Sequence, residues 1–155
     1  MKKVLFLDTV HAVLEERLSQ NGYHCIDATK LSLEQLSPLL PDAFGIVIRS
    51  RFVMNEEFLN QCLSLKFIAR SGAGMENIDE NYCANRNITL FNAPEGNRNA
   101  VGEHALGMLL SLFNNLNKAN REIRIGQWNR ETNRGTELDG KTVGLIGYGN
   151  MGKAF

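Results

Sequence analysis

A parallel, doubly wound α/β sheet is the fold class that the sequence predicts, on three observations. Over roughly the first 92 residues, five short β-rich runs alternate with four helical patterns. One of these runs, Phe44-Gly45-Ile46-Val47-Ile48, is continuously apolar, as a strand covered on both faces is. Further on, the apolar run Val143 to Ile146 feeds directly into G-x-G-x-x-G at Gly147, Gly149 and Gly152. That is the order in which a buried strand turns into a helix against a dinucleotide pyrophosphate.

The elements follow in order. Lys3 to Leu7 is a short apolar run, and Asp8-Thr9 can cap the helix that comes next. Val10, Val13, Leu14 and Leu18 recur at helical spacing, and Asn21-Gly22 is a stop signal. Tyr23 to Ile26 reads as a second strand. Ser32 with Gln35 three residues later is a capping box for a brief helix ending before Pro41. The strand at Phe44 to Ile48 is followed by Asn55, which with Glu56 and Glu57 in the first turn caps a helix through Cys62. Leu65 to Ala69 is strand, Asp79 to Asn85 helix, and Ile88 to Phe91 a fifth strand. Beyond Pro94 the pattern changes: Val101, Ala105, Met108, Leu109, Leu112, Phe113, Leu116 and Ala119 predict one long helix with a broad apolar face, ended by Gly126. A polar stretch from Asn129 to Gly140 separates it from the strand at Val143, which starts a second α/β unit.

Composition excludes several classes. Lysine plus arginine equals aspartate plus glutamate at 17 each, so the net charge points to neither nucleic acid nor a membrane surface. Met1-Lys2-Lys3 before Val4 to Leu7 mimics a signal peptide, but Asp8 ends the apolar run too early. No stretch is long enough to span a bilayer. Cys25, Cys62 and Cys83 are scattered, without C-x-x-C spacing, and read as reduced thiols of a cytoplasmic protein.

In an open α/β sheet, ligands sit beyond the carboxyl ends of the strands. Arg49-Ser50-Arg51 leaves one such end, and an arginine there can fork onto a carboxylate or phosphate. The alternative is two solvated loop arginines. Arg70-Ser71-Gly72-Ala73-Gly74 leaves another end, and its small residues let consecutive N–H groups converge on an anion; a plain Gly-rich connection is the alternative. His11, His24 and His104 have no partner at the spacing of a triad or a metal site, so no metal and no catalytic acid–base pair is expected.

Several stretches together resemble the D-isomer-specific 2-hydroxyacid dehydrogenases, and among them the phosphoglycerate dehydrogenase branch. They are Val47 to Arg51, Ala69 to Asp79, Phe91 to Asn97, Val101-Gly102-Glu103, Gly126-Gln127-Trp128, Gly135 to Leu138 and the glycine fingerprint. The resemblance implies a flavodoxin-like substrate domain over residues 1–96 and the first part of an NAD-binding Rossmann domain over residues 97–155. It implies that Ser71, Gly72, Ala73 and Gly74 hold the substrate carboxylate through backbone amides. Arg49 helps to hold the anionic end, and Arg49 and Arg51 together lean toward a phosphorylated or doubly anionic acid. Ala73 and Val101 lie near the nicotinamide, Gly147, Gly149 and Gly152 carry the phosphate turn, and Asn150 and Met151 touch the pyrophosphate. The long helix packs on the mate of a homodimer.

The reaction so implied moves hydride between NAD(H) and a small 2-hydroxy or 2-oxo acid, with 3-phosphoglycerate in serine biosynthesis as one candidate. The family's catalytic arginine, glutamate and histidine match positions beyond Phe155, so the expectation is a front portion that is inactive alone. Residues after about Asp139 are then expected to be disordered or paired with another chain. Two other readings stand beside it. One is a small-anion sensor without catalysis. The other is a pyrroline-carboxylate-type reductase, which the more than 140 residues before the fingerprint argue against.

Overall fold

In β1 (Lys2–Phe6) successive side chains point to opposite faces, so Leu5 enters one core while Val4 and Phe6 enter another. The computed structural model describes residues 1–155 and divides into two compact units, Met1–Gly96 and Asn97–Phe155. The first is built on β1, β2 (Tyr23–Asp27), β3 (Ala43–Ile48), β4 (Phe67–Arg70) and β5 (Thr89–Phe91). All pairings are parallel, in the order β2-β1-β3-β4-β5. This is the flavodoxin-like doubly wound order, which reverses direction between β1 and β3.

Right-handed crossovers turn that reversal into two unequal faces. α1 (Ala12–Gln20) lies on one face, where Leu14 and Leu18 cover Val4, Phe6 and Val47. α2 (Leu33–Leu36), α3 (Glu56–Asn60) and α4 (Glu80–Asn85) lie on the other, over the large core of Leu5, Ile46, Ile48, Leu59 and Ile68. Toward β5 the α1 face is open. Tyr23, Phe44, Phe67 and Phe91 form a row across it, with the Phe44–Phe67 and Phe67–Phe91 ring centroids 6.1 and 6.2 Å apart. The row lines a trough of about 520 Å³, and Phe91 is 55% exposed.

The helix starts follow the expected chemistry with one exception. Gln35 N–H donates to Ser32 Oγ at 3.3 Å while Ser32 N–H donates to Gln35 Oε1 at 2.9 Å, closing the capping box. Asn55 accepts from Phe58 N–H and Asp79 from Tyr82 N–H, at 3.0 and 2.9 Å. For α1, however, the cap is His11, whose Nδ1 accepts from Val13 N–H at 3.2 Å. Asp8 and Thr9 lie too far upstream for that task, and Asp8 is engaged elsewhere.

The second unit departs from expectation twice. The long helix is two helices, α5 (Arg98–Phe113) and α6 (Leu116–Arg124). Between them Asn115 adopts a left-handed φ of 54°, which asparagine tolerates, and its Nδ2 donates to the Arg134 carbonyl at 3.0 Å. The strand expected from Val143 does not form. Strand backbone needs a neighbour to complete its hydrogen bonds, and every strand of the chain lies in the first unit. Among the residues after Asp139, expected to be disordered or paired with another chain, α7 (Asn150–Ala154) packs on α5 at Gly102, where a Cβ would lie 2.8 Å from the Ala154 carbonyl. No helix is long and apolar enough to cross a membrane.

Candidate functional site

The register of β3 on β4 pairs Ile48 with Arg70, so the loops that follow the two strands start side by side. Ser71 N–H donates to the Ile48 carbonyl at 2.8 Å and fixes this start. A second tie lies further out. Met54 N–H donates to Asn77 O at 2.7 Å, Asp79 N–H donates to Met54 O at 3.0 Å, and Asn77 Nδ2 donates to Phe52 O at 3.1 Å. Both candidate loops therefore belong to one braced edge.

The two arginines of the first loop part company. Arg51 turns its guanidinium inward: Nη1 donates to the carbonyls of Leu7, Ala28 and Thr29 at 3.2, 2.9 and 2.7 Å, and Nη2 donates to that of Leu31. The ring of Phe52 lies 4.8 Å from its Cζ. Arg51 is thus a brace across the ends of β1 and β2, which corrects the expectation that it reaches a ligand. Arg49 is exposed, and its guanidinium makes no hydrogen bond or ion pair within the protein.

The second loop also divides. The N–H groups of Ser71 and Gly72 are used internally, on Ile48 O and Arg70 O. The carbonyls of Gly72 and Ala73 accept from Ala93 N–H at 2.9 Å and Asn92 Nδ2 at 2.7 Å. With the carbonyls so anchored, the consecutive N–H groups of Ala73 and Gly74 donate to no protein group. The backbone N–H groups left without a protein acceptor are those of Ala73 and Gly74, not the whole run from Ser71, and the Glu76 carboxylate lies against Gly74. Arg70, at the strand end, has its Nε buried without a partner.

Asp8 is the residue that sequence reasoning placed wrongly, as a helix cap. Its Oδ2 accepts from the N–H groups of Arg49, Ser50 and Arg51 at 2.7, 3.0 and 3.1 Å. Burial pushes its carboxyl up, but those three bonds, with the charge of Arg49, outweigh burial and hold it below the ordinary aspartate range. The signal available was its position: Asp8 lies two residues beyond the end of β1, where the sheet reverses. The linkage sign follows from the lowered value. Ionised Asp8 stabilises the fold above the unfolded value of about 3.9, and this contribution is lost as pH falls through the lower folded value. Urea unfolding at stepped pH should show Asp8→Asn with a flatter loss of stability below about pH 4 than the wild-type chain.

In the second unit, Gly147 takes φ 92°, which turns the chain before α7, and Gly149 is the N-cap of that helix. A Cβ at Gly152 would lie 2.5 Å from Gly147 O, so only glycine lets the first turn of α7 close on the loop. Asn150 and Met151 are the first helical residues. Val101 lies in the first turns of α5, its N–H bonded to Asn97 O at 3.0 Å. Along α5 and α6 a groove of about 920 Å³ runs past Glu103, His104, Met108, Leu112, Lys118 and Arg121. Burial pushes the Cys62 and Cys83 thiols up to about 11, so neither is poised as a nucleophile.

Residues 4–150 match the family described as D-isomer specific 2-hydroxyacid dehydrogenase, catalytic domain. A D-3-phosphoglycerate dehydrogenase of Archaeoglobus fulgidus is 35% identical over 150 residues, which are 97% of this chain and 28% of that protein. Its counterpart from Sus scrofa is 31% identical over 153 residues, 99% of this chain and 29% of that one. The structure of an NAD-dependent formate dehydrogenase from Staphylococcus aureus in complex with NAD is similar at a TM-score of 0.79 and 25% identity, covering 99% of this chain and 51% of that chain. The chain spans less than a third of the length of the curated relatives it matches.

Proposed function

We propose that this chain, which belongs to the D-isomer specific 2-hydroxyacid dehydrogenase family, is the substrate-loop portion of an enzyme that moves hydride between NAD(H) and a small 2-hydroxy or 2-oxo acid. The observation that supports this reading is a pair of amides at Ala73 and Gly74 without protein acceptors, on a loop that starts from the strand end paired with that of the Arg49 loop. Two amides can hold one carboxylate, and an arginine one strand away can hold a second anionic group. A doubly anionic acid fits that set, and the phosphoglycerate dehydrogenases among the relatives make D-3-phosphoglycerate the first candidate.

Residues 1–96 are then the substrate domain and 97–155 the start of the nucleotide domain. The open turn Gly147–Gly149 and the start of α7 fit a pyrophosphate, with Asn150 and Met151 beside it, and Val101 of the same unit would lie near the nicotinamide. When bound, NAD supplies the hydride acceptor. The chain's own residues orient the acid and leave its proton exchange to a group not found here: His11 is a helix cap, His24 lies on β2 and His104 on α5. The enzyme is cytoplasmic and works as a homodimer, for which the apolar α5 surface, with Leu112 74% exposed, is the natural seat.

Amide shift mapping of the 155-residue chain with D-3-phosphoglycerate tests the reading. Shifts at Ala73 and Gly74, reduced in Arg49→Ala, are expected, without steady NADH-dependent turnover. Binding elsewhere, or a steady rate from the purified chain, would count against it.

A further inference from the structure

The crevice where a doubly wound sheet reverses is the place such sheets offer to ligands. In this protein the chain fills that crevice itself. Three consecutive N–H groups, those of Arg49, Ser50 and Arg51, converge on Oδ2 of Asp8 at 2.7, 3.0 and 3.1 Å. Such a set of amides is an anion nest, and here the anion is an internal carboxylate. Below it, the guanidinium of Arg51 closes the crevice against the carbonyls of Leu7, Ala28, Thr29 and Leu31.

We propose that Asp8 is a positioning residue for the substrate site. It occupies the anion position at the reversal, and by holding the backbone of Arg49 through Arg51 it sets the direction in which the Arg49 side chain leaves the sheet. The inference rests on the reading of Arg49 as an anion contact. Its physical content is a division of labour along one loop. The backbone amides go to Asp8, the Arg51 side chain goes to the strand-end carbonyls, and the Arg49 guanidinium is the charged group left for a ligand. An external anion is thereby excluded from the β1–β3 crevice and directed to the β3–β4 edge, where Ala73 and Gly74 keep their amides free.

The test uses the 155-residue chain, D-3-phosphoglycerate as probe, and amide shifts at Ala73 and Gly74 as the binding signal. Asp8→Ala should weaken binding about tenfold and speed amide exchange at Arg49, Ser50 and Arg51 by at least that factor. Asp8→Asn, which keeps an acceptor oxygen in place, should restore affinity to within about twofold. In an Arg49→Ala background, Asp8→Ala should cost no further affinity, because its effect runs through Arg49. A full tenfold loss in that background, or wild-type affinity in Asp8→Ala alone, would overturn the proposal. Should Asp8→Ala fail to fold, Asp8→Glu carries the test: moved amide shifts at residues 49–51 with unchanged affinity would likewise overturn it. No shift at Ala73 and Gly74 in the wild-type chain would remove the reading of the loop itself, whereas wild-type binding that Asp8→Ala leaves intact removes only the role of Asp8.

Discussion

Ile46→Ala should destabilise the first unit by about 3 kcal/mol, and scanning calorimetry should show its melting temperature lowered by about 12–20 °C. Ile46 is fully buried in the central part of β3, with neighbours from β1 and β4 on either side. Its side chain belongs to the large core between the sheet and the helices α2 to α4. Truncation loses the transfer energy of three buried carbons and leaves a hole that close-packed strands collapse into only partly. Val53, 64% exposed in the loop before α3, is the control: Val53→Ala should stay within about 0.5 kcal/mol. Equal losses at the two positions would show that the core is not where the packing places it.

Arg51→Ala should cost about 2 kcal/mol, while Arg49→Ala leaves stability within about 0.5 kcal/mol. The two residues are separated by one serine and carry the same charge, so the difference reads what the Arg51 guanidinium touches, four carbonyls and the Phe52 ring. Removing the Arg51 side chain takes a donor from the carbonyls of Leu7, Ala28, Thr29 and Leu31 at the ends of β1 and β2, of which Ala28 O keeps the Leu31 N–H. Arg51→Lys should recover little, since one ammonium cannot span the places a planar fork reaches. Urea unfolding of the three variants at pH 7 measures this. A loss in Arg49→Ala matching that of Arg51→Ala would sink the division between brace and ligand arm.

Much of this architecture is legible in the residues. Alternation and apolar runs mark all five strands, and Ser32, Asn55 and Asp79 announce three helix starts because each needs only a local hydrogen bond. What the residues did not disclose depends on partners distant in sequence. Asp8 reads as a cap until β3 is laid beside β1 and brings the Arg49 loop within reach, 41 positions on. Arg49 and Arg51 are alike in sequence, and only the nearby ends of β1 and β2 tell them apart. The break at Asn115 is hidden in an apolar periodicity that continues across it, since a left-handed asparagine carries no hydropathy signal. At Ala73 and Gly74 the glycine-rich pattern located the loop. Which amides stay free is decided by Asn92 and Ala93 holding its carbonyls.

The open row of Tyr23, Phe44, Phe67 and Phe91 has a colloidal consequence. The chain carries equal numbers of acidic and basic residues, 17 of each, with an isoelectric point near 6.8. Around neutral pH no long-range repulsion keeps two copies apart, and an aromatic strip is then free to act at close range. The osmotic second virial coefficient of the chain should therefore be at its most attractive close to pH 7. Moving a few pH units away from that point charges the surface and lets the copies separate.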